Sequence, residues 1–226
     1  MTSSLTVLIT GANRGIGLEV AKQLTDSGHS IVALVRQSSP ELDQLGVRII
    51  DGIDVTQPDS VSRAKLACRT MAFDAVFNLA GLLTNEVWDD LDDVAFDRMM
   101  TQFMVNALGP LRVAQQFADQ VVDGGKIVMV TSRMGSISDN QSGGRYGYRM
   151  SKAALNAASK SLAIDLIPRQ IAVGIFHPGW VQTAMTGYTG HLTASESARQ
   201  LIRSYESLTL ATSGEFFHVN GEPLGW

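Results

Sequence analysis

Two side chains in the second half of the chain are spaced for acid–base chemistry. Tyr148 and Lys152 lie four residues apart in a segment rich in Ala, Leu and Ser, so on a helix they share one face. A nearby ammonium favours the phenolate, which lowers the pKa of a tyrosine hydroxyl towards the range of a general acid–base. Tyr146 has Met150 four positions on, which favours Tyr148. The alternative is that Tyr148 only packs and Lys152 is solvated.

A hydroxyl and an amide elsewhere in the chain fit the same chemistry. Ser132 follows the apolar run 126–130, which puts it at the carboxyl end of a predicted strand, the edge where α/β proteins bind ligands. It either holds the oxygen of a carbonyl or alcohol beside Tyr148 or caps a turn. Asn106 stands in an apolar helical stripe, where its amide makes structural hydrogen bonds, holds a water that links Lys152 to solvent, or does both.

The segment VLITGANRGIG near the start of the chain is a candidate phosphate-binding loop. Gly11, Gly15 and Gly17 stand between a predicted strand and a predicted helix, where bare backbone N–H groups and the positive helix end suit a pyrophosphate. Their spacing, G-x-x-x-G-x-G, differs from the commoner G-x-G-x-x-G. Taken alone the motif is weak, and the alternative is a plain turn that joins a strand to a helix.

Two arginines indicate which dinucleotide the loop would hold. Arg14 lies within the glycine loop, and Arg36 ends the second predicted strand, where an acid usually binds the ribose 2'-OH of NAD. Guanidinium groups there suit a 2'-phosphate, which favours NADP. The alternative is that Arg14 and Arg36 are solvated surface residues.

The elements that must position these residues follow an alternating pattern. Short apolar runs rich in Val and Ile predict strands buried on both faces of a parallel sheet. These runs cover residues 6–9, 31–35, 47–50, 75–77, 126–130, 171–176 and 215–219. Helical periodicity fills the gaps, including one predicted helix over 92–120. The pattern predicts one α/β domain over 1–226, a doubly wound parallel sheet of the Rossmann type with helices on both faces.

Composition excludes several function classes. The 226 residues carry a net charge of -4, with 45% hydrophobic and 18% charged residues and no acidic or basic block. Disorder and nucleic-acid binding are therefore not expected. Cys68 is the single cysteine and the four histidines are scattered, so no disulfide and no metal site is predicted. No apolar run reaches a membrane span and no signal peptide is recognised, so a cytoplasmic protein is expected.

Together these residues resemble the short-chain dehydrogenase/reductase family, and within it the small carbonyl reductases of the C-signal and sniffer type. The glycine loop, Asn78-Leu79-Ala80-Gly81 and the segment PGWVQT over 178–183 resemble family motifs, although Leu79 departs from the usual Asn. Ser132 and Tyr148 stand 16 positions apart, slightly more than in many members, so Ser136 and Ser138 are rival hydroxyls. The resemblance implies a catalytic tetrad of Asn106, Ser132, Tyr148 and Lys152. It implies NADP(H) contacts from Gly11, Asn13, Arg14, Gly15, Ile16, Gly17, Arg36, Asp54, Val55, Asn78, Ala80, Gly81, Tyr148, Lys152, Pro178, Gly179, Val181 and Thr183.

The sequence therefore predicts an NADP(H)-dependent enzyme that interconverts a carbonyl and an alcohol by hydride transfer. The alternative is a nucleotide-bound signalling or sensor protein of the C-signal type with vestigial activity; an epimerase or dehydratase is a third interpretation that no residue prefers. A short substrate loop is predicted at 184–194, where Met185, Tyr188 and His191 either line the site of a small-molecule substrate or belong to the loop surface. The resemblance also implies a homodimer through the helix 92–120 and the helix after Tyr148.

Overall fold

A computed structural model describes residues 4–226 and has one seven-stranded parallel sheet in the order β3-β2-β1-β4-β5-β6-β9. The strands are β1 (Thr6–Thr10), β2 (Ser30–Leu34), β3 (Arg48–Ile50), β4 (Phe73–Asn78), β5 (Val121–Val130), β6 (Ala172–His177), β7 (Val181–Gln182), β8 (Leu192–Thr193) and β9 (Phe216–His218). Each of the seven predicted runs overlaps a strand of this sheet, which confirms the predicted fold class. The two-residue strands β7 and β8 pair separately and are too short to show a periodic pattern in the sequence.

Helices cover both faces of the sheet. They are α1 (Gly15–Asp26), α2 (Pro40–Asp43), α3 (Pro58–Ala67), α4 (Asp93–Phe103), α5 (Gly109–Phe117), α6 (Tyr146–Asp165) and α7 (Ala194–Ser207). Alternate residues of each strand face opposite sides, so Leu8 of β1 packs with α3, α5 and α6, whereas Val7 and Ile9 pack with α1 and α7. The two apolar layers hold the strand ends, and hence the loops that follow them, at fixed positions.

The strand order places a crevice between β1 and β4. From β1 the chain winds outward through β2 and β3, and it then returns to add β4 on the other side of β1. In doubly wound sheets a ligand binds where the winding reverses, outside the carboxyl ends of the strands. The glycine loop follows β1 and the segment 79–81 follows β4, so both border this crevice.

The predicted continuous helix over 92–120 is wrong in one respect. α4 and α5 are separated by a π-helical turn, Met104–Leu108, and a 3-10 turn, Ala118–Gln120, follows α5. Pro110 has no N–H to donate to the carbonyl of Asn106 four residues earlier, so a regular α-helix cannot continue through this point. Asn106 therefore lies in an irregular turn at the edge of the crevice rather than in a regular helix.

Among residues 4–226, no helix combines the length and the apolar character that crossing a bilayer requires.

Candidate active site

The glycine loop is shaped by close backbone contacts. Gly11 has φ 70°, and a Cβ there would lie 2.8 Å from the amide nitrogen of Ala80. A Cβ on Gly17 would lie 2.2 Å from the carbonyl oxygen of Gly11. Gly15 has φ 55°, and the nearest atom to a Cβ there is Cγ2 of Thr183, at 3.4 Å. Gly11 and Gly17 are thus needed for packing, whereas Gly15 leaves an open concavity towards Thr183.

The start of α1 suits an anion. Arg14 is the N-cap residue and its side chain makes no capping hydrogen bond, and the first turn contains no acidic residue. The free N–H groups and the helix dipole therefore leave a positive end directed at the crevice. Asn13 Nδ2 donates to the carbonyl oxygen of Gln37 at 3.0 Å, which ties the loop to the segment after β2, and Ile16 packs into the core below.

Arg14 and Arg36 lie at the same edge of the sheet. Gly11 N donates to Leu34 O at 3.2 Å, which joins the ends of β1 and β2. Strand β2 ends at Leu34, two residues before Arg36, slightly earlier than the sequence predicted. Both guanidinium groups belong to exposed residues, and within residues 4–226 neither forms a salt bridge. Both cations are therefore available to a ligand phosphate.

The segment after β3 lies along one side of the crevice. Asp54 Oδ1 accepts hydrogen bonds from the backbone N and the hydroxyl of Thr56, at 2.8 and 2.7 Å. Val55 is buried, and its carbonyl oxygen accepts a hydrogen bond from Arg112 Nη1 at 2.6 Å. Gly109 makes this packing possible, since a Cβ there would lie 2.7 Å from Val55 Cγ2. Asp54 thus shapes its own turn, and Val55 is held against the start of α5.

The segment after β4 is clamped onto β1. Thr10 Oγ1 accepts hydrogen bonds from the amides of Leu79 and Ala80, at 3.1 and 3.2 Å. Asn78 is only 2% exposed, yet neither atom of its side-chain amide has a hydrogen-bond partner within residues 4–226. An unpaired buried amide is costly in free energy, so we expect a ligand or a water molecule to form hydrogen bonds with the Asn78 side chain.

The segment PGWVQT crosses the crevice from β6 towards the glycine loop. The carbonyl oxygen of Pro178 accepts a hydrogen bond from Ser197 Oγ at 2.7 Å, which fixes the segment to α7. Gly179 has φ 88°, a conformation that favours glycine, and Val181 is buried. Thr183 then lies against Gly15. An open glycine loop, a positive helix end and the unpaired Asn78 amide together fit a dinucleotide.

Tyr148 and Lys152 lie together on the first turns of α6. Lys152 Nζ is 5.8 Å from the centre of the Tyr148 ring and donates to Val130 O at 2.8 Å. Lys152 is only 4% exposed. Tyr146 instead packs against Trp88, with ring centres 6.5 Å apart. The predicted pairing of Tyr148 with Lys152 on one helix face is therefore present.

The protonation of this pair differs from the sequence-based expectation. Burial raises the pKa of the Tyr148 hydroxyl, although interaction with the Ser132 hydroxyl and the charge of Arg145 act in the opposite direction. The expected lowering by Lys152 is therefore wrong for this structure, because desolvation of a phenolate outweighs the nearby cations. Burial also lowers the pKa of Lys152 to about 8. Tyr148 is thus a protonated hydroxyl at neutral pH, and Lys152 is a cation close to its titration range.

Of the three candidate serines, Ser132 is the one whose hydroxyl acts on Tyr148, where it lowers the pKa of the phenol. The Ser132 hydroxyl also accepts a hydrogen bond from Met134 N at 3.1 Å, so it caps a turn as well. Ser136 and Ser138 are 3.2 Å apart, hydroxyl to hydroxyl, and line a separate cavity of about 290 Å³ against the C-terminal tail. The geometry therefore favours Ser132 as the hydroxyl beside Tyr148.

The Asn106 side chain is fully buried and is held by protein partners. Its Nδ2 donates to Leu82 O at 2.7 Å and to Ser151 Oγ at 3.0 Å, and its Oδ1 accepts from Leu82 N at 2.8 Å. Both amide donors are used, which fits the structural-hydrogen-bond interpretation. A water molecule would have to bind the second lone pair of Asn106 Oδ1 or the backbone carbonyl oxygen of Asn106, to which Pro110 has no N–H to donate.

Glu86, a buried carboxylate next to this site, is a residue that the sequence does not predict as part of it. Glu86 is 1% exposed; it accepts hydrogen bonds from the Thr84 hydroxyl, from Gln102 Nε2 at 2.9 Å and from Gly147 N at 3.2 Å. It thus joins the segment after β4 and helix α4 to the first turn of α6, one residue before Tyr148. In the sequence it stands close to the acidic residues WDDLDD, typical of a solvated surface, so no local signal reveals its burial.

The segment expected to contact substrate lies beside the crevice. Met185 Cε is 3.8 Å from where a Cβ on Gly81 would stand, which places it near Asn106. The Tyr188 side chain is mostly exposed, and His191 packs edge-on against Trp180, with ring centres 4.9 Å apart. Met185 is therefore the one of the three predicted side chains that reaches the crevice.

Fold and site together define a class, that of α/β proteins with a crevice that fits a dinucleotide and a Ser–Tyr–Lys group at its edge. Ser132 and Lys152 of this group are buried and Tyr148 is half-buried. The family model described as short chain dehydrogenase matches residues 5–192. The chain belongs to the short-chain dehydrogenase/reductase family.

Known relatives and solved structures agree with this assignment. The chain is 36% identical to the 1-hydroxy-2-glutathionyl-2-methyl-3-butene dehydrogenase of Rhodococcus sp. (strain AD45), covering 98% of this chain and 99% of that protein. It is 42% identical to the C-signal of Myxococcus xanthus, covering 68% of this chain and 92% of that protein. The carbonyl reductase Sniffer of D. melanogaster superposes with TM-score 0.88 and 27% identity, covering 99% and 100%. A short-chain dehydrogenase/reductase of Burkholderia multivorans with bound NADP gives TM-score 0.87 and 29% identity, with the same coverage.

The buried Lys152 ammonium predicts a pH-dependent cost to stability. The pKa of Lys152 is about 8 in the folded protein and 10.5 in its ordinary state, so between these values the unfolded chain binds more protons and stability rises with pH. Lys152→Met should raise the free energy of unfolding at pH 7 by at most about 3 kcal/mol, at 1.36 kcal/mol per pKa unit, less the lost hydrogen bond to Val130. The gain should shrink from pH 8 to pH 10.5, as measured by urea denaturation.

Lys160→Met is the matched control on the same helix. Lys160 is partly exposed and pairs with Glu215 at 2.8 Å, so its replacement should give no such pH-dependent gain. A Lys152→Met difference that is constant across this pH range would contradict the lowered pKa of Lys152.

Proposed function

We propose that the chain is an NADP(H)-dependent oxidoreductase that interconverts a small carbonyl compound and its alcohol. The observation that carries the proposal is the grouping of Ser132, Tyr148 and Lys152 at the edge of the crevice that fits a dinucleotide. Membership of the short-chain dehydrogenase/reductase family supports it, as does the likeness to carbonyl reductases. When bound, the cofactor supplies a hydride from its nicotinamide ring to the carbonyl carbon.

In this proposal, different residues around the crevice bind different parts of the cofactor. The glycine loop and the N–H groups at the start of α1 hold the pyrophosphate. Asp54 and Val55 border the adenine, and Asn78, Ala80 and Gly81 lie under the centre of the molecule. Lys152 contacts the nicotinamide ribose. The segment Pro178–Thr183 contacts the nicotinamide end, with Gly179, Val181 and Thr183 lining it.

The proton needed in reduction comes from Tyr148 in this mechanism. Its raised pKa keeps the hydroxyl protonated at neutral pH, and Ser132 donates a hydrogen bond to the same substrate oxygen. The Lys152 cation stabilises the phenolate as it forms. The carbonyl of Asn106, which Pro110 cannot bond, would hold a water that returns the proton from solvent through Lys152.

In this proposal the protein binds NADP(H) more tightly than NAD(H), because two positively charged side chains lie near the end of β2. Arg14 and Arg36 are exposed there without salt-bridge partners in the described chain, and each can pair with a 2'-phosphate. The Burkholderia structure contains NADP, which supports the same assignment.

The substrate is proposed to be a small molecule that enters between Tyr148 and the loop 184–194. The Rhodococcus relative is named for an alcohol that carries a glutathionyl group, so alcohols or aldehydes with a polar substituent are suitable first trials. A cytoplasmic location is part of the proposal, as the sequence predicts.

The likeness to C-signal supports a second candidate function, a nucleotide-bound signalling protein with little activity. The two functions differ in a simple assay. Rapid oxidation of NADPH with any carbonyl of a panel favours the enzyme, whereas tight NADPH binding without turnover favours the signalling protein.

A homodimer through α4 and α6 is also proposed, because these helices expose apolar side chains. Phe96 and Met100 of α4 are 54% and 62% exposed, and Met150 of α6 is 52% exposed.

Light scattering tests the dimer and should give about twice the chain mass of 24.3 kDa. Met100→Glu should give a monomer, whereas Ile137→Glu, on an exposed apolar residue outside these helices, should not. A monomeric wild type would reject the dimer.

Tyr148→Phe tests the proton donor. Removing the hydroxyl should lower carbonyl-dependent NADPH oxidation by about 100- to 10,000-fold, the range of general acid–base catalysis, while NADPH binding stays nearly intact. Tyr146→Phe is the matched control and should retain activity. A fully active Tyr148→Phe protein would reject the role of this residue.

Arg36→Ala tests the cofactor preference. Loss of one charge-assisted contact should weaken NADPH binding by about 10- to 100-fold and leave NADH binding nearly unchanged. Arg203→Ala, an exposed arginine of α7, serves as the control. Equal affinities of the wild type for NADPH and NADH, measured by fluorescence titration, would refute the argument.

A further inference from the structure

Arg145 has an unusual backbone conformation directly before α6. Its φ is 52°, in the left-handed region that costs a residue with a side chain free energy. The buried Glu86 holds the chain on both sides of it: Glu86 O accepts from Arg145 N at 2.7 Å, and Glu86 Oε2 accepts from Gly147 N at 3.2 Å. The placement of Arg145 is therefore fixed by a buried anchor and is not a flexible loop conformation.

The guanidinium of Arg145 lies where three segments around the site meet. Its Nε donates to Asn85 Oδ1, in the segment after β4, at 3.2 Å. Its Nη1 is 3.8 Å from Sδ of Met134, two residues after Ser132. Its charge acts on Tyr148, where it opposes the rise in pKa that burial causes. The cation thus lies between the segment after β4 and the turn that follows Ser132, near enough for its charge to act on Tyr148.

Arg145 also differs from the other cations nearby. Arg133 lies 3.5 Å from a carboxylate oxygen of both Asp139 and Glu222, so its charge is already compensated. Lys152 is buried and bonded to a carbonyl. Arg145 is exposed, and within residues 4–226 it has no salt-bridge partner and its Nη2 makes no hydrogen bond.

We propose that Arg145 binds an anionic group of the substrate, a carboxylate or similar acid, while the carbonyl or alcohol carbon lies at Tyr148. This inference rests on the proposed oxidoreductase function and adds the substrate class. A planar guanidinium with free N–H groups matches the two oxygens of a carboxylate. The hydrogen bond to Asn85 orients the guanidinium, and the Glu86 anchor fixes the backbone that carries this side chain.

The experiment compares aldehydes that differ only in charge. 3- and 4-carboxybenzaldehyde are assayed with NADPH beside their methyl esters, and kcat/KM is measured for each. The wild type should prefer at least one free acid to its ester. Arg145→Gln should reduce that preference about tenfold, the usual worth of one charge-assisted hydrogen bond. Because the ratio is compared, a general loss of activity through the Tyr148 pKa does not affect the conclusion.

Arg149→Gln is the matched control, since Arg149 lies on the same helix and bonds Gly144 O and Ser142 Oγ instead. It should leave the acid-to-ester ratio unchanged. A wild type without preference for either acid, or an Arg145→Gln protein that keeps the full preference, overturns the proposal.

A binding measurement separates failure of this inference from failure of the proposed function. 3- and 4-(hydroxymethyl)benzoate are titrated by calorimetry into the protein with NADPH, a pair that cannot react, and into the protein alone. Arg145→Gln should weaken the binding of at least one acid about tenfold, whether or not any aldehyde is reduced. This loss of binding without NADPH oxidation by these aldehydes or by any carbonyl of the panel would reject the enzyme but keep the anion site. Turnover with equal binding would reject the site alone.

Discussion

The site depends on the close approach of two backbone segments at the carboxyl end of the sheet. A Cβ on Gly11 would lie 2.8 Å from Ala80 N, and Thr10 Oγ1 accepts hydrogen bonds from the two amides that begin the segment after β4. If this contact opened, the crevice would lose its floor and the amide of Asn78 would no longer be held beneath it. The constraint explains why glycine follows β1, quite apart from any phosphate.

A second contact fixes α6 relative to this crevice. A Cβ on Gly147 would lie 2.8 Å from Met99 Cα, so α4 and α6 meet more closely there than any other residue allows. Glu86 fills the junction with three hydrogen bonds, and its carboxylate lies at the N-terminus of α6, where the helix dipole favours a negative charge. Tyr148 follows one residue later, so the position of the hydroxyl is determined by a buried polar junction and not by its own turn of helix.

Much of this arrangement could be predicted from the sequence because it is local or periodic. Seven apolar runs became the seven strands of the sheet, and the i, i+4 spacing put Tyr148 and Lys152 on one face. What the sequence could not reveal depends on packing between distant segments. Glu86 looks like a surface acid, and the raised pKa of Tyr148 follows from desolvation, which has no sequence pattern. The π-helical turn at Asn106 was missed although Pro110 signals it, because the apolar periodicity continues on both sides.

The protonation of the pair also bears on the direction of the proposed reaction. A Tyr148 hydroxyl whose pKa lies above its ordinary value carries a proton at neutral pH, which suits donation to a carbonyl oxygen better than removal of a proton from an alcohol. Lys152, with a pKa of about 8, exchanges protons with solvent near neutral pH far more readily than a lysine at 10.5. Removal of a proton from an alcohol requires the phenolate, and each added positive charge near the ring, including that of Arg145, favours this form. The burial that disfavours the phenolate thus suits the proposed reduction at neutral pH, and a rise in pH populates the phenolate that the reverse reaction would require.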